Sequence, residues 1–328
     1  MLGDLLRKMA GGRAGAGTSR QPAPQPAEPP QALPPAPAAP VAASPFPASV
    51  GNRQLQRCRH GWMLFDGPYI GKCFELYGEY SEAEVDLMRC FVRPGDQVID
   101  VGANIGDLTL PLARMVGPKG RVYAAESHSD VYNVLCANLA LNELSNVRPL
   151  NAFIARGASS ADTSSPWGEF AFVSETWTPP VVALDSLGLR QCRLLKIDVD
   201  GKELEVLKSG AALLANCRPV LYFENDLQVV SADLLGHVLD LEYDLYWHLP
   251  PIFRPDNFLG NPVNHWAPQV VTSAMMLGIP KELGITVENL PRVGGRNDWW
   301  NLDDPRIVAQ TAGDFAVKLS SDLATKTL

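Results

Sequence analysis

Val98-Ile99-Asp100-Val101-Gly102-Ala103-Asn104-Ile105-Gly106 is the stretch from which the architecture of this chain can be worked out. Its first four residues are typical of a buried strand, and the two glycines then mark a turn. Glycine permits the positive φ values of a sharp turn and lets the backbone come close to a ligand. The next segment, residues 108–115, is predicted to be a helix whose N-terminal amides face the same spot. The sequence therefore predicts a nucleotide-type cradle at the turn.

A second apolar run follows this helix and ends in Glu126, twenty residues after Gly106. An acid at the tip of the second strand of a βαβ unit is placed to hold a ribose, because one carboxylate accepts hydrogen bonds from both hydroxyls. The order of strand, D-x-G-x-x-x-G turn, helix, strand and terminal acid predicts a cofactor-binding unit.

The turn also separates two classes of cofactor. A dinucleotide fold has the pattern G-x-G-x-x-G, whereas here Asn104 stands between the glycines and Asp100 lies directly beneath them. An anionic Asp100 would repel a pyrophosphate but attract the ammonium or the sulfonium of S-adenosylmethionine. We therefore predict S-adenosylmethionine rather than NAD, with five cofactor-binding residues: Asp100, Gly102, Asn104, Gly106 and Glu126.

Three further stretches accompany the turn: Asn138-Leu139-Ala140-Leu141-Asn142, Leu184-Asp185-Ser186-Leu187 and Leu195-Lys196-Ile197-Asp198-Val199-Asp200-Gly201-Lys202-Glu203-Leu204-Glu205-Val206-Leu207-Lys208. With the turn, they resemble the FkbM family of S-adenosylmethionine-dependent methyltransferases. The resemblance covers about residues 75–225 and weakens toward residue 280. The family commonly has Glu where this chain has Asp200, which keeps the charge but shortens its reach. The resemblance implies an O-methyltransferase acting on hydroxyls of sugars, glycolipids or polyketide-like products.

The composition limits the binding partners and the cellular compartment that we expect for this chain. The net charge is −8, and no Lys/Arg cluster alternates with aromatic residues, so we expect no nucleic-acid partner. The apolar stripe in residues 1–13 is too short for a membrane span, and we expect no stable membrane insertion. The six cysteines lack metal-site spacing, which is typical of reduced, packed thiols in a cytoplasmic protein. The sequence does not indicate an oligomeric state.

Four regions follow from the pattern along the chain. Residues 1–50, rich in Pro and Ala from position 21, are predicted to be a disordered arm. Residues 51–95 are predicted to form an aromatic-rich cap with a helix at 81–91, in which Ser81 is the N-cap. Residues 96–285 are the predicted S-adenosylmethionine-binding domain, with an aromatic and amide-rich lid at 250–268. Residues 286–328 form a C-terminal tail.

Within the domain, strands alternate with helical patterns at 107–116, 129–142 and 201–214, which demands a parallel sheet with helices on both faces. The fold class is therefore α/β. A seventh strand completes the Rossmann-like class I methyltransferase sheet, in which the last strand is antiparallel. The predicted strands are 97–101, 121–125, 147–153, 193–198, 219–224, 243–249 and 269–277.

Methyl transfer to an alcohol requires that the acceptor oxygen lie in line with the methyl group and that the hydroxyl lose its proton. One interpretation treats Asp198 or His248 as the general base, since both follow strands at the carboxyl edge of the sheet. The other treats Asp198, Glu224 and Asn225 as ligands for Mg²⁺, which resembles the metal site of catechol O-methyltransferase. We expect the metal-free mechanism. The two glutamates after Gly201 are explained by the helix dipole, with a substrate role left open for Glu203.

The predicted function is thus S-adenosylmethionine-dependent O-methylation of a sugar hydroxyl or a hydroxylated metabolite, with a small-molecule or glycan acceptor. Two alternatives stay open at this point. One is a non-catalytic scaffold that keeps the fold, and the other is an NAD-dependent oxidoreductase, which Asn104 and Asp100 disfavour.

Overall fold

A seven-stranded sheet organises the protein, which is seen here in a computed structural model that describes residues 49–157, 179–267, 273–300 and 318–319. The strand order is β11-β12-β10-β9-β4-β5-β6, and β12 alone runs antiparallel to its two neighbours. This is the class I methyltransferase arrangement that the sequence predicts. The strands are β4 (Gln97–Val101), β5 (Arg121–Glu126), β6 (Val147–Asn151), β9 (Leu194–Ile197), β10 (Val220–Glu224), β11 (Tyr243–His248) and β12 (Met275–Pro280).

Helices connect the strands and cover both faces of the sheet. The predicted helix at 201–214 is in fact two helices, because the backbone of Gly210 packs against the Leu184 side chain, where a Cβ would lie 2.9 Å from a methyl carbon. The helix that leads into β11 is an element that the sequence reasoning missed. The helices of this domain are α3 (Thr109–Val116), α4 (Ser129–Leu141), α5 (Glu203–Ser209), α6 (Ala211–Cys217) and α7 (Gln228–Asp240), with a short 3-10 helix at Leu184–Leu187.

The segment before the sheet is a small layer of its own. It consists of the antiparallel strands β1 (Ser49–Val50), β2 (Arg53–Cys58) and β3 (Gly61–Phe65), followed by α1 (Ile70–Tyr77) and α2 (Glu82–Arg89). The sequence predicts α2 but not α1. Helix α2 contributes Val85 and Met88 to the core that covers one face of the sheet. We call residues 51–95 the cap.

Three smaller elements complete the described chain. The predicted strand 147–153 breaks after Asn151, and β7 (Phe153–Ile154) pairs instead with β8 (Val181–Val182). β13 (Val287–Glu288) pairs with β14 (Lys318–Leu319). Residues of the predicted tail run along the outer edge of β11, where the amides of Trp247 and Val293 bond to carbonyl groups across the gap. Residues 1–48 of the predicted arm, residue 268 of the lid and residues 269–272 of the last predicted strand lie outside the described residues.

All six cysteines are free thiols, in agreement with the absence of metal-site spacing. Burial raises the pKa of Cys58 and of Cys73 to about 12, so both are inert packing groups at neutral pH. None of the helices in the described parts of the chain has the length and apolar character needed to span a bilayer.

Candidate cofactor and transfer site

A cleft opens at the carboxyl ends of β4, β5 and β9, where parallel sheets hold their ligands. Its volume is about 700 Å³ when the space open to solvent is included. The lining includes Gly102, Glu126, His128, Ala152, Phe153, Asp198 and Val199. Two of the predicted cofactor residues and the predicted base Asp198 therefore border the same space.

The turn after β4 has the strained backbone that its sequence indicates. Gly102, Asn104 and Gly106 all have positive φ values, of 76°, 47° and 97°. A Cβ on Gly102 would lie 1.8 Å from the carbonyl oxygen of Asp198, so the glycine permits close packing against the loop after β9. Asn104 is one of the residues other than glycine that tolerate this region, and its side chain accepts the Ile105 amide at 2.8 Å.

Glu126 is fixed at the rim of the cleft by two backbone amides. Asn104 donates to one carboxylate oxygen at 3.0 Å, and His128 donates to the other at 2.8 Å. The carboxylate therefore ties the turn after β4 to the end of β5. Because each carboxylate oxygen can accept more than one hydrogen bond, Glu126 keeps acceptor capacity for a diol.

Asp100 lies beneath the turn rather than in the lining of the cleft. It is fully buried, accepts the Thr109 hydroxyl at 2.6 Å, and lies 3.1 Å from the ammonium of Lys196. Burial lowers the pKa of Lys196, but the nearby carboxylates of Asp100 and Asp198 outweigh it and the pKa is raised. The Lys196 ammonium also donates to the Gly102 carbonyl at 2.7 Å. Asp100 thus holds the cation that supports the turn.

Asp198 lines the cleft, with 37% of its side chain exposed and its carboxylate 3.9 Å from Lys196. The turn that carries it is held by Glu203, whose carboxylate accepts the amides of Val199 and Gly201, each at 3.1 Å. Partial burial raises the pKa of Asp198, Lys196 lowers it, and the charges of Asp100 and Glu126 raise it. A raised pKa makes this carboxylate a better proton acceptor than an ordinary aspartate.

His248 ends β11 on the same face of the sheet but is 1% exposed. Its Nδ1 lies 2.7 Å from the hydroxyl of Tyr222, a residue in the middle of β10. Burial lowers the pKa of His248 to about 3, so the ring is neutral throughout the physiological range. The geometry therefore favours Asp198 over His248 as the group that takes a proton.

The three residues of the metal interpretation face different neighbours. The Glu224 carboxylate accepts the Ser273 hydroxyl at 2.9 Å, whereas the Asn225 amide donates to Ser231 in α7 at 3.0 Å. Within the described residues, no group of three His, Cys, Asp or Glu side chains is arranged to hold a metal ion.

Two further carboxyl groups, which the sequence reasoning missed, lie near Asp198. Glu84 belongs to the first turn of α2, and burial raises its pKa to about 8, with Asp198 and Asp107 adding to the effect. Burial also raises the pKa of Asp107, in the turn before α3, to about 7. Ser81 stands at the predicted N-cap position of α2, but the expected capping bond is not formed, because its hydroxyl donates to the Glu84 carboxyl and makes no capping bond to the helix.

The predicted lid, residues 250–267 in the structure, is attached to the cap. The Tyr77 hydroxyl donates to the Val263 carbonyl at 3.2 Å and accepts the His265 amide at 2.9 Å. The Glu79 carboxylate accepts the Phe258 amide at 2.7 Å and pairs with Arg59 at 2.6 Å. These bonds join the cap to the lid.

The comparison with protein families finds one match, the methyltransferase FkbM domain, over residues 100–242. This range contains every predicted cofactor-binding residue and Asp198. It ends before His248 and before the lid.

Curated proteins match over shorter stretches. A tRNA(Phe) (4-demethylwyosine(37)-C(7)) aminocarboxypropyltransferase of Methanocaldococcus jannaschii is 47% identical over 77 residues, which is 24% of this chain and 30% of that protein. A tRNA (adenine(58)-N(1))-methyltransferase catalytic subunit of Yarrowia lipolytica is 35% identical over 69 residues, which is 21% of this chain and 18% of that protein. The chain thus spans less than a third of the length of these relatives.

Two solved structures illustrate the likeness in fold. A SAM-dependent O-methyltransferase of Thermotoga maritima has a TM-score of 0.41 and 16% identity, covering 70% of this chain and 77% of its own. The methyltransferase FkbM of Methylobacillus flagellatus has a TM-score of 0.36 and 16% identity, covering 60% and 50%. The fold class itself follows from the strand order given above.

Proposed function

Residues 100–242 match the methyltransferase FkbM domain, and we propose that the chain is an S-adenosylmethionine-dependent O-methyltransferase. The observation that carries the proposal is Glu126, a carboxylate held by two backbone amides at the rim of a cleft that Asp198 also borders. A fixed acceptor for a ribose and a proton acceptor then face one space.

The cradle suits this cofactor on its own chemistry. The proposed binding residues are Gly102, Asn104, Gly106 and Glu126, with Asp100 acting from beneath through Lys196. The bound cofactor would supply an electrophilic methyl group on a positively charged sulfur. A pyrophosphate would need positive charge in the cleft. The basic side chains in its lining are Lys202 and His128, whereas Glu126 and Asp198 contribute negative charge. NAD is therefore the less suitable occupant.

In the proposed reaction, Asp198 accepts the proton of the acceptor hydroxyl. Lys196 and Glu203 have supporting parts, since the first holds Asp198 and the turn by charge and the second fixes the loop that carries Asp198. The joined cap and lid would exclude water from the transfer site and align the acceptor with the methyl group. The proposed mechanism uses no metal ion.

We propose a small hydroxylated molecule or a glycan as the acceptor, rather than a nucleic acid. Two relatives carry tRNA in their names, but here the carboxyl edge of the sheet is strongly acidic. Phosphate groups would meet a row of carboxylates with few compensating cations, which is unfavourable. These carboxylates are Glu126, Asp198 and Asp200, all of which line the cleft.

Titration calorimetry tests the proposal directly. We expect S-adenosylmethionine and S-adenosylhomocysteine to bind with micromolar affinity, and NAD and unmodified tRNA to give no heat of binding. Binding of NAD alone would replace the proposal by an oxidoreductase. Absence of binding by all of them would favour the scaffold, and saturable binding of tRNA would overturn the choice of acceptor.

A further inference from the structure

Three carboxyl groups from separate parts of the chain meet beside the transfer site. Glu84 comes from the cap, Asp107 from the turn before α3, and Asp198 from the end of β9. The charges of Asp198 and Asp107 raise the pKa of Glu84, and the charge of Asp198 also raises the pKa of Asp107. One ammonium serves all of them, that of Lys196, which is already 3.1 Å from Asp100. The cluster therefore carries more potential negative charge than its cation can balance.

Of these three carboxyl groups, Glu84 is the one whose burial is hardest to explain by a contribution to the stability of the folded chain. The residue is 4% exposed, and its Oε2 is buried with no hydrogen bond of regular geometry among the described residues, although the carboxyl group interacts with the Tyr222 hydroxyl. Its other oxygen accepts the Ser81 hydroxyl, and no ion pair among the described residues includes it. An ionised carboxylate in such a place is costly, so Glu84 is held in its protonated form. A buried acid without an ion pair is a candidate functional group.

The groups that face Glu84 come from four neighbouring elements. They are Asp107 from the turn before α3, Lys196 and Asp198 from β9 and its end, Tyr222 from β10, and Tyr80 from the segment before α2. His248 of β11 adds no charge because its ring is neutral and bonded to Tyr222. Of these groups only Lys196 is a cation, and a second positive charge in the cleft would change the balance most.

We propose that Glu84 is the proton store of the transfer site. It is protonated in the free chain, loses its proton when a sulfonium occupies the cradle, and regains one when transfer removes that charge. The inference rests on the proposed function and adds to it a residue from outside the FkbM domain match, which begins at residue 100.

Electrons, protons and charge all balance in the proposed transfer step. As the acceptor oxygen bonds to the methyl carbon, the carbon–sulfur bond breaks and its electron pair stays on sulfur. The hydroxyl proton enters the cluster at Asp198, and Glu84 shares it. The positive charge on sulfur and one negative charge in the cluster disappear together, which favours the transfer step and leaves the free-state protonation for the next cycle.

Calorimetry of two ligands that differ by one methyl group and one charge tests this without any acceptor. Heats of binding are measured at pH 7 in phosphate and in Tris, because the difference between buffers counts the protons released. We expect S-adenosylmethionine to release about half a proton or more beyond S-adenosylhomocysteine. Glu84→Gln should abolish most of this excess while both ligands still bind. Glu82→Gln should retain it, since Glu82 is a buried glutamate of the same helical turn that bonds to His60 instead.

The pH dependence of the wild-type chain provides a second measurement that does not depend on the folding of a variant. Between pH 6 and pH 8 the affinity for S-adenosylmethionine should rise several-fold relative to that for S-adenosylhomocysteine. Equal proton counts for the two bound ligands, or an excess that survives in Glu84→Gln, would overturn the inference alone. Failure of the wild-type chain to bind either ligand would overturn the proposed function and the inference with it.

Discussion

Glu126 shows how one side chain can serve both the fold and the proposed cofactor. Its two oxygens accept backbone amides from the turn after β4 and from the residues after β5, which fixes the rim of the cleft. The same oxygens are the acceptors that we assign to the ribose. A substitution there should therefore affect ligand binding more than overall stability.

We expect Glu126→Ala to weaken the binding of S-adenosylhomocysteine by about 1–3 kcal/mol, the scale of a lost hydrogen bond to a charged group. Titration calorimetry measures the change. Glu75→Ala is the control, because Glu75 is an exposed glutamate of α1 that pairs only with Lys72. An unchanged dissociation constant in Glu126→Ala would remove the ribose assignment.

The pair of Asp100 and Lys196 calls for a different experiment, because both groups are buried. Removing one partner leaves an uncompensated charge, so Asp100→Asn and Lys196→Met should each lower the free energy of unfolding by about 3–5 kcal/mol. The double substitution should cost clearly less than the sum, since it removes both charges. Urea unfolding of the three variants gives these values. Additive costs would show that the two side chains do not act on each other.

Several residues in the stretches that resemble the FkbM family form hydrogen bonds between different secondary-structure elements. Asn138 in α4 accepts the Leu64 amide at 2.6 Å and donates to the Leu64 and Ile105 carbonyls, so one amide holds the cap to the turn of the cradle. Asn142 binds Trp62 in the same way. Asp185 accepts the amides of Ala212 and Leu213 at the start of α6.

At the scale of elements, the helix α2 brings a titratable group into the core. Glu84 binds its proton in the folded chain with a pKa of about 8, above the usual value near 4.5. Between these values the folded state binds more protons than the unfolded state, so stability falls as the pH rises. The contribution is fully present below about pH 4.5 and is lost as the pH passes 8.

We therefore expect the thermal midpoint of the free protein to fall by a few degrees between pH 6 and pH 8.5, and Glu84→Gln to flatten this dependence. Differential scanning calorimetry over this range provides the measurement. Asp107, with a pKa raised to about 7, should leave a smaller dependence in the variant. A midpoint that rises with pH would contradict the burial of Glu84 as a protonated group.

The lid depends on the cap through Glu79, which joins Arg59 to the Phe258 amide. Glu79→Gln should weaken this attachment and speed hydrogen exchange of the amides in residues 256–265, while those of β4 and β9 keep their protection. Lys72→Ala, which breaks an exposed pair on α1, should change neither region. Uniform loss of protection in Glu79→Gln would show global destabilisation instead.

At the scale of the whole molecule, the Pro/Ala-rich N-terminal segment is predicted to contribute little to the domain. It has few large apolar side chains that could offset the entropy of ordering. Deleting residues 1–48 keeps Ser49, which pairs with Gln54 in the first hairpin. We expect the thermal midpoint and the affinity for S-adenosylhomocysteine to stay unchanged. A shift of several degrees would show that the segment packs on the core.

The sequence by itself determined the features that local patterns encode. Apolar runs closed by Gly102 or Glu126 mark strands and their ends, and alternation with helices permits only a parallel sheet. The reversed direction of the seventh strand came from the family resemblance and was also correct. Elements bounded by weak signals were missed, such as α1 and α7, because neither helix begins with a capping side chain or has an acidic residue in its first turn.

Only the tertiary structure decided which side chains share a space. Asp100 and Glu126 are both acids at strand ends in the sequence, yet one pairs with Lys196 beneath the turn and the other borders the cleft. His248 was a candidate base in the sequence and is buried against Tyr222, while Glu84, which the sequence analysis did not single out, is a buried acid with a raised pKa. The physical reason is that burial and pairing depend on residues distant in sequence. Asp198 raises the pKa of Glu84 because α2 packs against the sheet, and no local pattern contains that relation.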